Sequence, residues 1–311
     1  MERREFLENC MILGAGMTLS SINKCSQSKI VPKRKLGKTG EKLSMIGFGG
    51  IIVMDETIKT AKERVAKAVD RGINYFDVAP TYGNAETRLG PALKPYRKDS
   101  FLACKTTQRG KKGAREELEN SLKNLQTDYF DLYQLHAITT EEDVKKAFGP
   151  DGAMEVFQKA KKDGLVRYLG FSAHSEKAAL MAMERYDFDT LLFPLNYVCW
   201  HKGNFGKQVV AKAKEKNMGI LALKALAYSR IPEGEKSEYE KLWYQPIEDN
   251  QVADYSLRFT LSQGTTAAIP PGDYRFFNPA IDIACNYSPL NQDEEDQLLK
   301  SQEDAIPLFT T

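Results

Sequence analysis

Short apolar runs alternate with amphipathic stretches along most of the chain. Each run is a few residues long and rich in aliphatic and aromatic side chains, a pattern typical of buried strands. Between the runs, apolar positions recur every three or four residues, as at Val65, Ala68 and Val69, which is typical of helices with one buried face. The predicted strands cover residues 44–49, 75–78, 101–104, 131–135, 168–171, 190–195, 219–223 and 267–269. The predicted helices include residues 60–71, 115–125, 153–162 and 177–185.

Turn residues mark the junctions between helices and strands. Gly72, Gly164 and the Asn-Met-Gly turn at 217–219 each lie just before a predicted strand. Eight strand–helix repeats predict a parallel sheet, and right-handed crossovers favour its closure into a (β/α)8 TIM barrel. A doubly wound open sheet is the alternative, but the Gly-Phe-Gly-Gly segment at 47–50 lacks the GxGxxG spacing of its phosphate loop. We therefore predict a single α/β domain, the barrel, over residues 31–311.

Two other segments have recognisable patterns. Residues 33–43 are rich in lysine and glycine with turn signals, which predicts a short hairpin that plugs the bottom of the barrel. Residues 228–250 are polar, contain Pro232 and Pro246, and follow the seventh strand. This length without an apolar pattern predicts a long loop, which could act as a lid.

The first part of the chain, residues 1–30, differs from the rest. Arg3 and Arg4 precede a weakly apolar run at 10–19 that is too short to span a bilayer. This leader resembles the twin-arginine type of cleavable export signal. We therefore expect export to the cell envelope or periplasm; an uncleaved tail on a cytoplasmic enzyme is the alternative. Cys25 could accept a lipid, although the residues before it form a poor lipobox.

Composition excludes several classes of function. The chain has 44 Lys and Arg against 42 Asp and Glu, a net charge of +2, and its basic residues are scattered. This balance gives no reason to expect nucleic acid or an anionic membrane as a partner. The five cysteines lack metal-ligand spacing, so we expect neither a bound metal nor a disulfide framework. We expect no transmembrane span and a small molecule as the partner; the sequence does not define an oligomeric state.

Ionisable residues lie where three consecutive predicted strands end. Asp77 lies near the end of the second strand, Lys105 follows the third and His136 follows the fourth. Tyr82 comes five residues after Asp77, on a loop that can bend back over it. Barrel enzymes carry their chemistry at the carboxyl ends of the strands, so we expect these four side chains to meet at one rim. Each alone has an ordinary structural explanation, but their joint occurrence favours a site.

These four residue types suit the reduction of a carbonyl group. A phenol has a pKa of about 10 and is a poor proton donor near neutrality. A nearby ammonium, here Lys105 held by Asp77, favours the phenolate and lowers that pKa. His136 would position the carbonyl oxygen, and Tyr82 would protonate it as a hydride reaches the carbon. No nucleophile with an attendant base is present in this group, so hydrolysis is less natural.

The segment at 74–83, Asn-Tyr-Phe-Asp-Val-Ala-Pro-Thr-Tyr-Gly, resembles the signature of the aldo-keto reductase family. The residues leading to Lys105 and His136, and the segment at 164–172, resemble other parts of the same pattern. The resemblance extends from about residue 33 to residue 285. It implies a (β/α)8 barrel, NADPH or NADH as the cofactor, and reduction of an aldehyde, ketone or sugar to an alcohol. The implied catalytic tetrad is Asp77, Tyr82, Lys105 and His136.

The resemblance also implies contacts with the cofactor. Gly49 and Gly50 would touch its nicotinamide end, Ser172 would bind the carboxamide, and the segment at 224–226 would lie along the pyrophosphate. In relatives that prefer NADPH, basic residues usually follow strand eight, whereas the turn at 270–273 here is Pro-Pro-Gly-Asp. We therefore expect NADH to be used comparably with NADPH. The predicted cofactor-binding set is Gly49, Gly50, Ser172, Asn196, Lys224, Ala225, Leu226, Gly272 and Asp273.

The sequence departs from the family pattern at two places. Where the family often has Asn after the serine, this chain has Ala173 and then His174. His174 is either a contact to the carboxamide or substrate, or a polar residue at a helix N-terminus. Strand six often supplies a glutamine to the nicotinamide; here Asn196 either replaces it or only caps the strand end. Trp200 and His201 follow strand six and are candidate contacts for a flat or sugar-like substrate, with ordinary packing as the alternative.

Two other functions remain open at this level. A Schiff-base aldolase would use Lys105 or Lys224 as its nucleophile, although the ordered Asp77 and Tyr82 argue against it. A cofactor-binding barrel that senses redox state and regulates a partner, with little turnover, would keep the same tetrad. The sequence does not identify the substrate.

Overall fold

The computed structural model describes residues 29–311, and the predicted leader lies almost entirely outside them. The first described elements are two short antiparallel strands, β1 (Lys33–Lys35) and β2 (Lys42–Ser44). Leu36 and Leu43 of this hairpin are fully buried in the apolar cluster that fills the barrel interior. The predicted plug is therefore confirmed, and it seals the end of the barrel opposite the carboxyl ends of the strands.

Eight parallel strands form the barrel, which confirms the predicted fold class. Each pairs with its neighbours in chain order, as expected for consecutive β/α units. The strands are β3 (Phe48–Gly49), β4 (Tyr75–Asp77), β5 (Phe101–Thr106), β6 (Phe130–Ile138), β7 (Val166–Ala173), β8 (Thr190–Pro194), β9 (Gly219–Leu223) and β12 (Ala267–Ile269).

The first and last barrel strands meet through a short bridge. Ile46 pairs with Ala268 in parallel, next to the start of β3. The Gly47 amide donates to the Ala268 carbonyl, and the Ala268 amide donates to the Met45 carbonyl, both at 2.9 Å. The strand predicted at 44–49 is therefore not one continuous strand. The hairpin ends at Ser44, Ile46 forms an isolated bridge, and β3 begins only at Phe48.

Helices cover the outside of the barrel and bury one apolar face each. In α1, for example, Ala61, Val65 and Ala68 are buried, and the Thr57 side chain caps the N-terminus by accepting from the Thr60 amide. The helices are α1 (Ile58–Asp70), α2 (Ala85–Leu93), α3 (Lys111–Leu125), α4 (Glu141–Phe148), α5 (Ala153–Lys162), α6 (Glu176–Arg185), α7 (Tyr197–His201), α8 (Lys207–Glu215), α9 (Asn250–Ser262), α10 (Phe277–Cys285) and α11 (Gln292–Ser301). Within residues 29–311, no helix is long and apolar enough to cross a membrane.

The segment predicted as a long loop after the seventh strand contains a small antiparallel ladder. Its strands are β10 (Ala227–Arg230) and β11 (Tyr244–Pro246). Between them the chain reaches across the barrel mouth, where the Lys241 ammonium donates to the Met54 carbonyl at 2.7 Å. The segment is thus tied to the loop that follows β3, and it covers the carboxyl ends of the strands as a lid would.

Candidate active site

A buried ion pair lies at the carboxyl ends of β4 and β5. Lys105 is fully buried and Asp77 is 2% exposed. The Lys105 ammonium contacts Asp77 Oδ1 and donates to the Val78 carbonyl at 3.1 Å. The second carboxylate oxygen, Oδ2, accepts from the Tyr75 hydroxyl and from the Gln134 amide nitrogen, each at 3.2 Å. The carboxylate is therefore fixed from three sides, and it holds the ammonium in one place.

Tyr82 lies over this pair. The Lys105 ammonium is 5.1 Å from the centroid of the Tyr82 ring. Burial raises the pKa of the Tyr82 hydroxyl above its usual value, and the charge of Lys105 opposes this shift without reversing it. The expectation that Lys105 brings this pKa down is thus correct for the lysine alone, but burial dominates. At neutral pH the hydroxyl keeps its proton.

His136 completes the group at the end of β6. Its ring packs edge-on against Tyr82, with the centroids 5.8 Å apart and the planes at 86°. Burial lowers the pKa of His136 to about 2, and the charge of Lys105 acts in the same direction. The imidazole is therefore neutral, and among the described residues its buried Nδ1 has no hydrogen-bond partner. The structure thus brings all four predicted catalytic side chains together.

A cavity of about 250 Å³ opens above these side chains. Of the predicted cofactor and substrate positions, Gly49, Lys224, Gly272 and His174 line it together with Tyr82 and His136. The segment after β9, predicted as a loop that could act as a lid, supplies four more lining residues that were not singled out from the sequence. These are Lys241, Leu242, Trp243 and Tyr244.

Two of the predicted cofactor glycines occupy places where a side chain would clash. A Cβ atom on Gly272 would lie 2.4 Å from Ile51 Cγ2, and one on Gly50 would lie 2.7 Å from Val78 Cγ2. The backbone at Gly272 therefore stays bare where it borders the cavity. A bare backbone also lets a ligand approach closely.

Ser172 and Asn196 are buried behind the cavity wall. The Ser172 hydroxyl oxygen accepts from the Ala137 amide at 2.7 Å. The Asn196 side chain accepts from the Cys199 amide at 2.8 Å and so caps α7. Within the described part of the chain, the Asn196 Nδ2 is buried without a partner. Asn196 thus caps α7, and it does not line the cavity.

The remaining predicted cofactor residues lie beyond the cavity. Ala225 and Leu226 are buried with 1% exposure and do not line the cavity. Asp273 lines an outer groove of about 570 Å³. Lys241 borders both the groove and the cavity. The Asp273 carboxylate is occupied by Arg275, whose guanidinium donates to it at 2.9 and 2.7 Å.

The aromatic substrate candidates divide into two groups. His174 faces the cavity and stacks on Phe309 of the C-terminal segment, with the ring centroids 5.2 Å apart. The helix that follows is capped by Ser175, so His174 is not its capping residue. Trp200 and His201 lie elsewhere: they are part of α7 and pack against Phe259. These contacts agree with ordinary packing, the alternative to a substrate contact.

Comparison with known proteins agrees with this geometry. The aldo/keto reductase family pattern matches residues 46–268, and the chain belongs to that family. An uncharacterized oxidoreductase, YqkF, of Bacillus subtilis is 35% identical over 155 residues, which is 45% of this chain and 48% of the relative. L-galactose dehydrogenase of Arabidopsis thaliana is 27% identical over 224 residues, 64% of this chain and 67% of that enzyme. The first of these alignments thus spans about half of the relative's length.

Solved structures share the fold. The holo form of aldo-keto reductase AKR11C1 from Bacillus halodurans superposes with a TM-score of 0.69 and 22% identity, covering 89% of this chain and 98% of that one. At this identity the likeness concerns the fold. The barrel prediction and the family prediction are both confirmed.

Proposed function

We propose that this protein is an NAD(P)H-dependent reductase that converts a carbonyl group to an alcohol, with Tyr82 as the proton donor. The observation that carries the proposal is the fully buried Lys105–Asp77 pair next to the Tyr82 ring. A buried charged pair that fixes one ammonium beside one phenol is costly to build and has an evident chemical use. Family membership supports the same reaction class.

Each member of the tetrad has a distinct task. Tyr82 gives its proton to the carbonyl oxygen, and the phenolate that remains is stabilised by the Lys105 ammonium. Asp77 keeps that ammonium charged and in place. His136 is neutral at physiological pH, so it orients the carbonyl oxygen by a hydrogen bond and does not act as a cation.

NADPH or NADH, when bound, supplies the hydride that adds to the carbonyl carbon. The backbone at Gly49, which lines the cavity together with Tyr82 and His136, fits its nicotinamide end. In the outer groove, the guanidinium of Arg275 forms an ion pair with the Asp273 carboxylate. Arg64 and Lys241 of the same groove are paired with Glu56. The groove therefore has little unpaired positive charge for a 2′-phosphate, which favours use of NADH at a rate comparable with NADPH.

The proton donor can be tested with a matched pair of tyrosine variants. Tyr82→Phe should lower carbonyl reduction by at least ~10²-fold, because it removes the donor and keeps the ring. Tyr75→Phe also removes a hydroxyl that contacts the site, since Tyr75 donates to Asp77 from inside the barrel. We expect it to retain activity within about threefold, as one of three groups on the carboxylate is lost. Turnover of Tyr82→Phe near the wild-type rate would refute the assignment.

We further propose that the protein is exported by a twin-arginine route to the cell envelope. Support comes from Arg3, Arg4 and the apolar run at 10–19, all of which precede the described residues. This route carries folded proteins, so a dinucleotide can be bound before export. Free cofactor should be scarce outside the cytoplasm, and an exported reductase must therefore hold it tightly.

Cell fractionation tests the export proposal. We expect the protein in the envelope fraction, with a mature N-terminus between residues 20 and 32 and with nucleotide bound. Replacing Arg3 and Arg4 by lysine should leave it in the cytoplasm. An intact N-terminus on the native protein, measured by mass spectrometry, would instead indicate an uncleaved tail on a cytoplasmic enzyme.

A further inference from the structure

The strand that carries His136 is irregular at this residue. In the pairing of β6 with β7, Leu135 lies opposite Phe171, and Ile138 lies opposite the residue two positions after Phe171. Three steps along β6 thus match two steps along β7, so His136 and Ala137 form a β-bulge with one extra residue. Bulges are rare between parallel strands, and next to active sites they re-aim a side chain.

The bulge also holds its backbone in an unfavourable conformation. Ala137 has a φ of 52°, in the left-handed region that a residue with a side chain rarely adopts. Its amide donates to the side chain of Ser172 at 2.7 Å. A conformation of this kind persists only where the surrounding structure holds it. The two carbonyls of the bulge therefore require specific contacts as well.

Arg109 provides those contacts from the loop that follows β5. Its Nη2 donates to the His136 carbonyl at 2.7 Å and to the Ala137 carbonyl at 3.2 Å. Its Nη1 donates to the Thr107 carbonyl at 3.1 Å, and its Nε donates to the Asp143 carboxylate at 3.0 Å. The side chain is only 10% exposed, so water competes little for these charge-assisted hydrogen bonds. One guanidinium thus joins both carbonyls of the bulge to the loop after β5 and to α4.

Asp143 is itself fixed at the start of α4. Its carboxylate accepts from the Thr139 and Thr140 amides at 3.0 and 3.1 Å. Burial would raise the pKa of this carboxyl, but the Thr139 amide and the charge of Arg109 lower it to about 2. The carboxylate is therefore charged at physiological pH, and it anchors the guanidinium to the first turn of a helix.

His136 has few other contacts that set its position. Its Nδ1 is buried and has no hydrogen-bond partner among the described residues, and its ring meets that of Tyr82 edge-on. The place of the imidazole therefore depends on the backbone that carries it. Neither Arg109 nor Asp143 lines the cavity, so neither can touch a carbonyl compound bound there.

We propose that Arg109 and Asp143 are positioning residues that hold His136 where it can donate a hydrogen bond to the carbonyl oxygen. The inference rests on the proposed reductase function, in which a neutral His136 orients that oxygen. A shift of about 1 Å in a positioned group can lower a rate by about 10²-fold. The competing role is a structural one, in which the pair stabilises the rim of the barrel and does not affect the reaction.

A matched arginine lies at the opposite end of the same two strands. Arg97 donates to the Ser100 carbonyl at 3.0 Å and to the Tyr129 carbonyl at 2.8 Å, just before β5 and β6 begin. It also pairs with Asp131 at 2.9 Å, and its side chain is 13% exposed, close to the 10% of Arg109. Arg97→Met therefore removes an equivalent guanidinium from the amino ends of the strands and serves as the control.

Kinetics distinguish positioning from stability. Arg109→Met should lower kcat for carbonyl reduction by roughly tenfold or more. It should leave the dissociation constant of NAD(P)H within about threefold of wild type, and Arg97→Met should keep kcat within about threefold. In a His136→Ala background, Arg109→Met should change kcat by less than about twofold, because no imidazole remains to be positioned. Asp143→Asn keeps an oxygen for the amides of α4 but loses the charge; it should lower kcat by a smaller factor, and it provides the same test if Arg109→Met fails to fold.

A second readout does not depend on turnover. The chain has three histidines, so the His136 imidazole signal in a ¹H–¹³C NMR spectrum is identified by its loss in His136→Ala. The ring centroids of His136 and Tyr82 are 5.8 Å apart, so the ring current of Tyr82 makes this signal sensitive to the place of the imidazole. We expect the signal to shift in Arg109→Met and to stay unchanged in Arg97→Met.

The outcomes separate this inference from the reductase function itself. An unchanged His136 signal in Arg109→Met would overturn the inference, and so would an equal loss of kcat in the wild-type and His136→Ala backgrounds. Weaker NAD(P)H binding in Arg109→Met with unchanged kcat would assign the pair to the cofactor site and also overturn it. A wild-type protein that reduces no carbonyl would refute the reductase function, and the NMR comparison would still decide whether the pair positions His136.

Discussion

Replacing Lys105 with methionine tests the buried ion pair. The change keeps the apolar stem and removes the ammonium from Asp77 and from the Val78 carbonyl, which it meets at 3.1 Å. Losing one partner of a buried pair costs about 3–5 kcal/mol of unfolding free energy, because the other charge stays buried. Asp77 keeps two donors, Tyr75 and Gln134, each at 3.2 Å. We therefore expect a loss near the lower limit, about 3 kcal/mol.

The same variant should lose its reductase activity. Without the ammonium, proton transfer from Tyr82 would leave a phenolate with no neighbouring cation in a partly buried site. We expect reduction to fall by more than ~10²-fold, at least as much as for removal of a positioned acid. Urea denaturation measures the stability, and loss of NAD(P)H absorbance at a saturating carbonyl concentration measures the rate.

A double variant separates stability from chemistry. Adding Asp77→Asn to Lys105→Met removes both charges, so at least about half of the lost stability should return, since no uncompensated charge remains buried. Activity should not return. If Lys105→Met alone raised KM and left kcat unchanged, Lys105 would be a binding group and the proposed mechanism would be wrong.

Three other outcomes follow from the electrostatics. Asp273→Ala should free Arg275 and raise the NADPH-to-NADH ratio of kcat/KM several-fold, because it removes the carboxylate that pairs with this cation; an unchanged ratio would contradict this. The unfolding free energy should decline below pH 6.5, because the folded pKa values of His136 and His174 are lowered to about 2 and about 4. Each of these two histidines lowers the unfolding free energy by about 2 kcal/mol at pH 5. His174→Phe should therefore remove about half of the decline, as measured by urea titrations at a series of pH values. Because burial raises the pKa of Tyr82, alcohol oxidation, which needs the phenolate, should still accelerate as the pH passes about 10, the usual pKa of a phenol; an optimum near neutrality would argue against Tyr82 as the base.

The barrel could be predicted because its signals are local. The turn glycines Gly72 and Gly164 have φ values of 85° and 79°, a conformation that favours glycine, and each lies between a helix and the next strand. Strands β9 and β12 have the predicted bounds, since each is an apolar run bordered by turn or polar residues. The tetrad was predictable for a similar reason: in a parallel barrel, residues at the ends of neighbouring strands must meet.

The upper wall of the cavity could not be predicted in the same way. Lys241 and Trp243 belong to a polar segment with two prolines, and their positions depend on contacts with distant parts of the chain, such as Met54. The ring contact between His174 and Phe309 likewise joins residues far apart in sequence. The one available signal was the adjacent pair Trp243-Tyr244, because large aromatic side chains in a polar loop usually mark a contact.

Two lysines of the cavity differ in whether their surroundings could be predicted from the sequence. Burial lowers the pKa of Lys105, but the charges of Asp77 and Tyr82 together raise it by more. The net shift is therefore upward, and the ammonium stays charged. Lys224 has only burial acting on it, and its pKa moves in the opposite direction. The partner of Lys105 is a residue of the adjacent strand, which the strand pattern itself identifies. Lys224 acquires its environment from a segment that folds back over the barrel, so its position beside the rings of Trp243 and Tyr244 could be inferred only from the folded chain.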